Sequence, residues 1–378
     1  MTPYWIWQQP DWPDFRWQVE VLAPLLRECV QAQGQLLGMT SVVTTSLSAQ
    51  NELDALLQNI VTSSAIEGEQ LNVGSVRSSL ARRLGLEQVG DNPVSQRSEG
   101  LANLLLDATR HLDKPLTLQR LLEWHEWLFP DQPNELAHRQ IRVGTLRGDE
   151  PMQVVSGRLD RPTVHFEAPP RKGLEQQLQA FVDWFEASRH QAGLDPLLRA
   201  GVAHFWFVTL HPFDDGNGRL TRTLTDLALA QGEAQAIRFY AMSASILDDR
   251  AGYYRILETS QKNTLDITPW LSWFLQTLQR SLQQAMKRID SVFCKARFWQ
   301  VHRDSALTPE QIKVLNRMLD GGEKGFEGGI SAAQYQAVAK VSKATATRHL
   351  SELLEKGCLE RMPGGGRSTR YRVSYPVG

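Results

Sequence analysis

Apolar positions recur at helical spacing along most of this chain. Val19, Leu22, Leu25, Leu26 and Val30 predict a helix over about 16–37, and Pro24 inside it predicts a kink or a split. Leu53, Leu56, Leu57, Ile60 and Val61 fall at i, i+3, i+4, i+7 and i+8, so a second helix starts near Ser48 and leads into Ser63-Ser64-Ala65-Ile66-Glu67-Gly68. Asn72 is placed to cap a helix through Leu84, a further helix is expected over about 95–112, and Thr117 is placed to cap one over about 117–129. His125 falls on the apolar face of that last helix and reads as a packed histidine.

Between Gly144 and Pro170 the helical period disappears, and residues 152–155 and 163–166 are short β-like runs that predict a hairpin. His165 in this hairpin reads as exposed. Helical spacing returns at Leu174, Leu178, Phe181, Val182 and Phe185. Asp195-Pro196 then gives an N-cap and first-turn proline for a helix through Leu210. Its apolar face (Val202, Phe205, Trp206) marks it as central, with His204 as packing. A long helix over 269–298 closes this part of the chain.

The two ends differ in character. Trp5, Trp7, Trp12, Phe15 and Trp17 crowd the first residues and read as a plug over a hydrophobic surface. Beyond Thr308 the pattern is helix to Leu319, glycine-rich loop, helices near 331–339 and 342–356, then strand, Gly364-Gly365-Gly366 turn and strand: the order of a winged helix. From Val341 onward there are seven Lys/Arg against three Glu. Lys343, Arg348 and His349 on a helix, with Arg367, Arg370 and Arg372 on a wing, would suit a DNA backbone over residues 342–372, the alternative being protein contacts. The expected domains are an aromatic segment over 1–45, a core over 46–298 and a winged helix over 299–378.

Composition adds bounds. The 378 residues are 42% hydrophobic and 22% charged with a net charge of −1, an ordinary globular balance that gives no whole-molecule attraction to nucleic acid. Cys29, Cys294 and Cys358 are few and far apart, so neither a disulfide framework nor a zinc site is indicated. No signal-peptide pattern opens the chain and no apolar run reaches the ~18 residues of a membrane span, so a cytoplasmic location is expected.

The chemistry concentrates in residues 211–222, His-Pro-Phe-Asp-Asp-Gly-Asn-Gly-Arg-Leu-Thr-Arg. Gly216 and Gly218 allow a tight turn, and the apolar period from Leu220 through Leu224 and Leu227 puts that turn at a helix N-terminus, with the helix ending near Gly232 as a C-cap. Free N–H groups and the positive dipole end make such a turn an anion site. Arg219 and Arg222 fall on one helix face, Asp215 is a hard oxygen ligand suited to Mg²⁺, and His211 is a base near neutral pH.

This stretch resembles the signature of the Fic family, HPFx(D/E)GNGRxxR, at every defined position. The resemblance implies an all-α, Fic-type helical core with a small β-hairpin flap. It implies transfer of AMP from ATP to a Ser, Thr or Tyr hydroxyl of a target protein. His211 would then deprotonate the hydroxyl, Asp215 would hold Mg²⁺, and Gly216, Asn217 and Gly218 would form the anion hole. Arg219 would bind the γ-phosphate and Phe213 would anchor the loop; Gly218 stands where a phosphate-transferring subfamily has Lys. Ser63-x-x-x-Glu67-Gly68 resembles the family's inhibitory motif, whose glutamate would pair with Arg222 where the γ-phosphate belongs. Tyr254 and Asn263 are candidates for the adenine, and residues 150–167 for a flap that receives an extended piece of target. Self-modification is common in the family; the oligomeric state, a homodimer included, stays open. Two alternatives stay open: the same site acting mainly to remove AMP, or a nucleotide-sensing DNA-binding regulator.

Overall fold

The computed structural model describes residues 5–41, 45–86, 92–130, 141–158, 161–233, 239–262, 264–320, 326, 328–363 and 369–375. The chain divides into two compact units, residues 1–285 and 286–378.

The first unit is helical. Its early helices are α1 (Val19–Ser41), α2 (Thr45–Ile66), α3 (Val73–Leu84), α4 (Gln96–Arg110) and α5 (Leu118–Leu128). The hairpin of β1 (Gln153–Arg158) and β2 (Arg161–Glu167) follows. Then come α6 (Leu174–Ala187), α7 (Pro196–Leu210), α8 (Asn217–Glu233), α9 (Met242–Asp248), α10 (Arg250–Ser260) and α11 (Thr268–Val301), the last of which runs through the division between the units.

Local chemistry sets several of these starts. The side chains of Asn72, Ser95, Thr117 and Asp195 accept a backbone N–H of the first turn of α3, α4, α5 and α7. A cap of this kind contributes about 1 kcal/mol. Pro24 does not split its helix; α1 is continuous through it. As the sixth residue of α1, Pro24 leaves the Glu20 carbonyl without its usual i+4 donor, and the helix continues past that one missing bond.

Every residue of α7 from Leu197 to Leu210 is buried, and α8 packs along it. His204 inside α7 is satisfied by Thr225 Oγ1 at 2.9 Å and Tyr253 OH at 3.0 Å, and burial drives its pKa down to about 3. It is a packing group, as expected. Gly232 is not a C-cap: it lies within α8, where an added Cβ would meet Pro196 Cβ at 2.6 Å. Glycine is there because two helices approach closely.

The aromatic N-terminal segment covers this core. Trp5 meets Phe166 edge-on at 5.4 Å, Trp12 meets Trp206 at 6.4 Å, and Phe15 meets Phe205 at 5.7 Å. The hairpin strands are longer than their apolar runs suggested, pairing from Gln153↔Glu167 to Arg158↔Arg161 with an irregularity at Val154/Val155. His165 is not simply exposed. Its ring joins Ser156 Oγ at 2.6 Å and Glu258 Oε2 of α10 at 2.8 Å, tying the hairpin to the helical body.

The second unit has its own core, built from Phe298, Val314, Leu315, Ile330, Tyr335, Leu350 and Leu353 among others. Three helices, α12 (Pro309–Leu319), α13 (Ala332–Ala339) and α14 (Lys343–Glu355), precede the antiparallel pair β3 (Leu359–Arg361) and β4 (Tyr371–Val373), and Ile330 bridges to Tyr371. His349 is not on an outer face of α14. It is buried and bonded to Tyr335 OH at 3.0 Å. Arg370 donates to the carbonyls of Gly328 and Gly329, and Arg372 pairs with Glu360. Arg367 lies outside the described residues.

Candidate active site

The site is built where α7 ends and α8 begins. His211 caps α7 with φ 47° and ψ 56°, a left-handed conformation that a non-glycine residue holds only when its surroundings impose it. Those surroundings are visible. Buried Arg147 donates from Nε to the His211 carbonyl at 2.9 Å, and its own N–H reaches the Pro212 carbonyl at 3.0 Å. His211 Nδ1 lies 3.2 Å from the Val208 carbonyl, which fixes the proton on Nδ1 and leaves the Nε2 lone pair as the basic position. Burial, joined by the Arg147 charge, lowers the His211 pKa, so the ring is neutral near pH 7.

The loop between the two helices is held by side chains rather than by its own turns. Asn217 takes both polar groups of the Phe213 peptide, accepting from its N–H at 3.0 Å and donating to its carbonyl at 2.8 Å. This pair of bonds pins the amide to the loop backbone, while the Asn217 backbone N–H, at the first position of α8, has no intrahelical partner. Phe213 is fully buried and stacks on His125, 4.2 Å between centroids and 9° between planes. His125 accepts from Gly144 N–H on Nδ1 at 3.1 Å and so donates from Nε2 to the Asp215 carbonyl at 3.2 Å. Burial holds its pKa down at about 4. His125 and Arg147 are thus positioning residues of the loop. Sequence reading missed the role of both, because their partners are backbone carbonyls far along the chain.

Gly216 (φ 82°) makes the turn and its carbonyl accepts from Leu220 N–H at 3.0 Å. The first N–H groups of α8 have no intrahelical partner by construction, and they face the same end as the dipole's positive pole. The Asp215 side chain is about half exposed and lies 3.6 Å from Arg219. One carboxylate beside a phosphate site fits Mg²⁺, which keeps waters and takes its remaining oxygens from phosphate groups.

The arginines of α8 are both buried and both occupied. Arg222 donates from Nε to Ser63 Oγ at 2.9 Å, and from Nη2 to the Ser63 carbonyl at 2.9 Å and Glu67 Oε1 at 2.8 Å. Burial pushes the Glu67 carboxyl upward, but Arg222 outweighs it and the pKa ends below the usual carboxylate value. Arg219 donates to Glu69 Oε2 at 2.7 Å. Glu69 is a site residue the sequence did not reveal. Arg219 Nε and Arg222 Nη1 remain buried donors without an acceptor among the described residues.

Glu67 and Gly218 are matched. A Cβ on Gly218 would lie 2.1 Å from Glu67 Oε1, so the carboxylate rests directly on the glycine turn. Tyr254 stands beside this contact, its hydroxyl 3.4 Å from the Ile66 carbonyl, which Arg250 Nε also reaches at 2.6 Å. Asn263 lies outside the described residues.

The geometry accords with what matches this chain. A family model described as "Fic/DOC family" matches residues 115–229, and one described as "Domain of unknown function (DUF4172)" matches residues 5–86. Residues 115–229 of this chain are thus similar to the Fic/DOC family. The chain's relatives include "Protein adenylyltransferase Fic" of Nematostella vectensis, 28% identical over 61% of this chain and 48% of that protein. "Protein adenylyltransferase fic-1" of Caenorhabditis elegans is 26% identical over 67% of this chain and 45% of that one. The chain thus spans less than half the length of these relatives. Among solved structures, a Fic-domain signaling protein from Bacteroides thetaiotaomicron superposes with a TM-score of 0.52 at 21% identity, over 70% of this chain and 97% of that chain. Residues 134–508 of C. elegans Fic-1 superpose at 0.50 and 20% identity, over 72% and 75%. The mostly helical architecture with its small hairpin is the Fic fold. No helix of the described residues is long and apolar enough to cross a membrane.

Proposed function

We propose that this protein transfers AMP from ATP to a hydroxyl side chain of a target protein, and that Glu67 restrains the reaction. The observation that carries the proposal is the Glu67–Arg222 pair at 2.8 Å, seated on Gly218 beside a neutral His211. An internal carboxylate bound to a buried guanidinium at a helix N-terminus is what a phosphate site looks like when filled by the protein itself.

In the proposed step the acceptor hydroxyl oxygen attacks the α-phosphorus and its proton passes to His211 Nε2. The bond from that phosphorus to the bridging oxygen breaks, and pyrophosphate leaves. The backbone N–H groups of residues 217 and 218, that of Gly216 once Asp215 Oδ1 releases it, and the guanidiniums of Arg219 and Arg222 neutralise the phosphate oxygens, so positioning and charge supply most of the acceleration. Asp215 would hold Mg²⁺, whose part is to offset charge on the bridging phosphates. Among the described residues each strand of the β1–β2 hairpin has a single partner in its sheet, which leaves an outer edge for an extended stretch of target.

The test is incorporation of labelled AMP by wild type, Glu67→Gly and His211→Ala. Strong labelling by Glu67→Gly, weak labelling by wild type and none by His211→Ala is expected. Equal, low labelling in all three would overturn both role assignments. Mass spectrometry of the Glu67→Gly chain after ATP and Mg²⁺ identifies self-modification through the mass of the added nucleotide fragment.

A further inference from the structure

Arg219 is not alone with Glu69. Arg97, near the N-terminus of α4, grips the same carboxylate in a fork: Nε to Oε1 at 3.0 Å, and Nη2 to Oε1 at 2.8 Å and to Oε2 at 2.9 Å. Both guanidiniums lie over the ring of Phe129, at 5.4 Å for Arg97 and 5.1 Å for Arg219. Contact with one aromatic ring helps to orient both cations.

We infer that Arg97 is a further phosphate-binding residue: with Arg219 it forms a two-guanidinium clamp, and Glu69 is the anion that keeps the clamp filled until a nucleotide phosphate takes its place. The inference rests on the nucleotide reading given above and deepens it. Three observations carry it. The two arginines converge on one carboxylate, Arg97 in a fork and Arg219 through one bond, and a guanidinium fork also matches a phosphoryl group. The Glu69 side chain is 29% exposed while Arg219 is 7%, so the anion faces the opening and the cation lies behind it. Third, Glu69 and Glu67 flank Gly68, whose φ of 81° belongs to glycine, so the carboxylates on both arginines of α8 come from one short turn. Arg219 keeps a buried Nε without an acceptor even with Glu69 bound, and a phosphoryl group brings an oxygen more than a carboxylate does.

The alternative is a brace, in which Glu69 only straps the segment after α2 to α4. Titration calorimetry of the full chain with ATP and with AMP separates the two. Glu69→Gln removes the charge and keeps the shape; it is expected to bind ATP about tenfold tighter than wild type, with AMP unchanged, the size of one charge-assisted hydrogen bond released. Adding Arg97→Gln should abolish the gain. Unchanged or weaker ATP binding by a folded Glu69→Gln overturns the clamp. Should that variant not fold, Arg97→Gln in the Glu67→Gly background is read instead. About tenfold weaker ATP binding with AMP unchanged supports the clamp, and equal ATP binding overturns it. If Glu67→Gly itself binds no ATP, the nucleotide reading falls and the clamp with it. If it binds ATP and the other variants move nothing, only the clamp falls.

Discussion

Gly218 has no room for a side chain while Glu67 is paired with Arg222. Gly218→Ala would put a methyl 2.1 Å from Glu67 Oε1 and must either strain the turn or expel the carboxylate. It is expected to cost about 1–3 kcal/mol in wild type and close to nothing in Glu67→Gly, a coupling that a double-mutant cycle in urea reads directly. Additive costs would mean that the two groups do not meet. His125 makes a second claim. Its folded pKa of about 4 lies below the ordinary 6.5, so the unfolded chain binds the proton first. The stability is fully present above about pH 6.5 and is lost as pH falls toward 4, by up to about 3 kcal/mol, because burial disfavours the charged ring and a proton on Nδ1 would also face the Gly144 N–H. His204, held lower still, adds to the same slope. Denaturation across this window should show a shallower slope for His125→Asn, and an identical slope would remove His125 from the loop's support. The residues of 211–222 were legible because each demanding type falls in one short stretch. Glu69 was not legible, since its partners Arg97 and Arg219 lie 28 and 150 residues away and a single Glu after a glycine carries no period.

The C-terminal end of α2 delivers Glu67, and that end is held from outside. Helix ends leave carbonyls without partners, and here the Ile66 carbonyl accepts from Arg250 Nε at 2.6 Å, with Tyr254 OH at 3.4 Å. Loss of the arginine should loosen the restraint without removing it. Arg250→Ala is therefore expected to raise basal AMP transfer roughly fivefold, the effect of about 1 kcal/mol, and to stay below Glu67→Gly. Transfer at the wild-type level would show that α2 is held by its packing alone. Helix starts were readable from sequence because capping is local: Asn72, Ser95, Thr117 and Asp195 act within three residues of themselves. Features set by a neighbouring element were not. Gly232 carries the composition of a cap, yet it answers to Pro196 across the helix contact. His165 looked free on a hairpin, yet Glu258 of α10 claims it.

Residues 286–378 form a unit with its own core, and charge counting alone overstates what this unit offers to DNA. His349 falls in step with Ala346, Leu350 and Leu353, all buried, so the period of α14 already assigned it to the interior. Arg370 is bound to the Gly328 and Gly329 carbonyls and Arg372 to Glu360, while Lys356 reaches the Ala306 carbonyl at 2.9 Å. Arg348 is 3.6 Å from Glu352, an exposed pair that water and salt weaken readily. Over residues 342–372, Lys343, Arg348 and Arg361 then remain as the exposed cations without a close carbonyl or carboxylate partner among the described residues. Each phosphate contact lowers the logarithm of the affinity by about 0.9 per logarithm of salt. Three contacts give a slope of roughly −3 and an affinity no tighter than the micromolar range of non-specific binding. Filter binding of the full chain to duplex DNA across a salt series is expected to show that weak, shallow dependence. A slope near −6 would mean that the bound arginines of β4 leave their carbonyl and carboxylate partners for phosphate, and the unit would then have to be treated as a DNA-binding element rather than a surface for protein contacts.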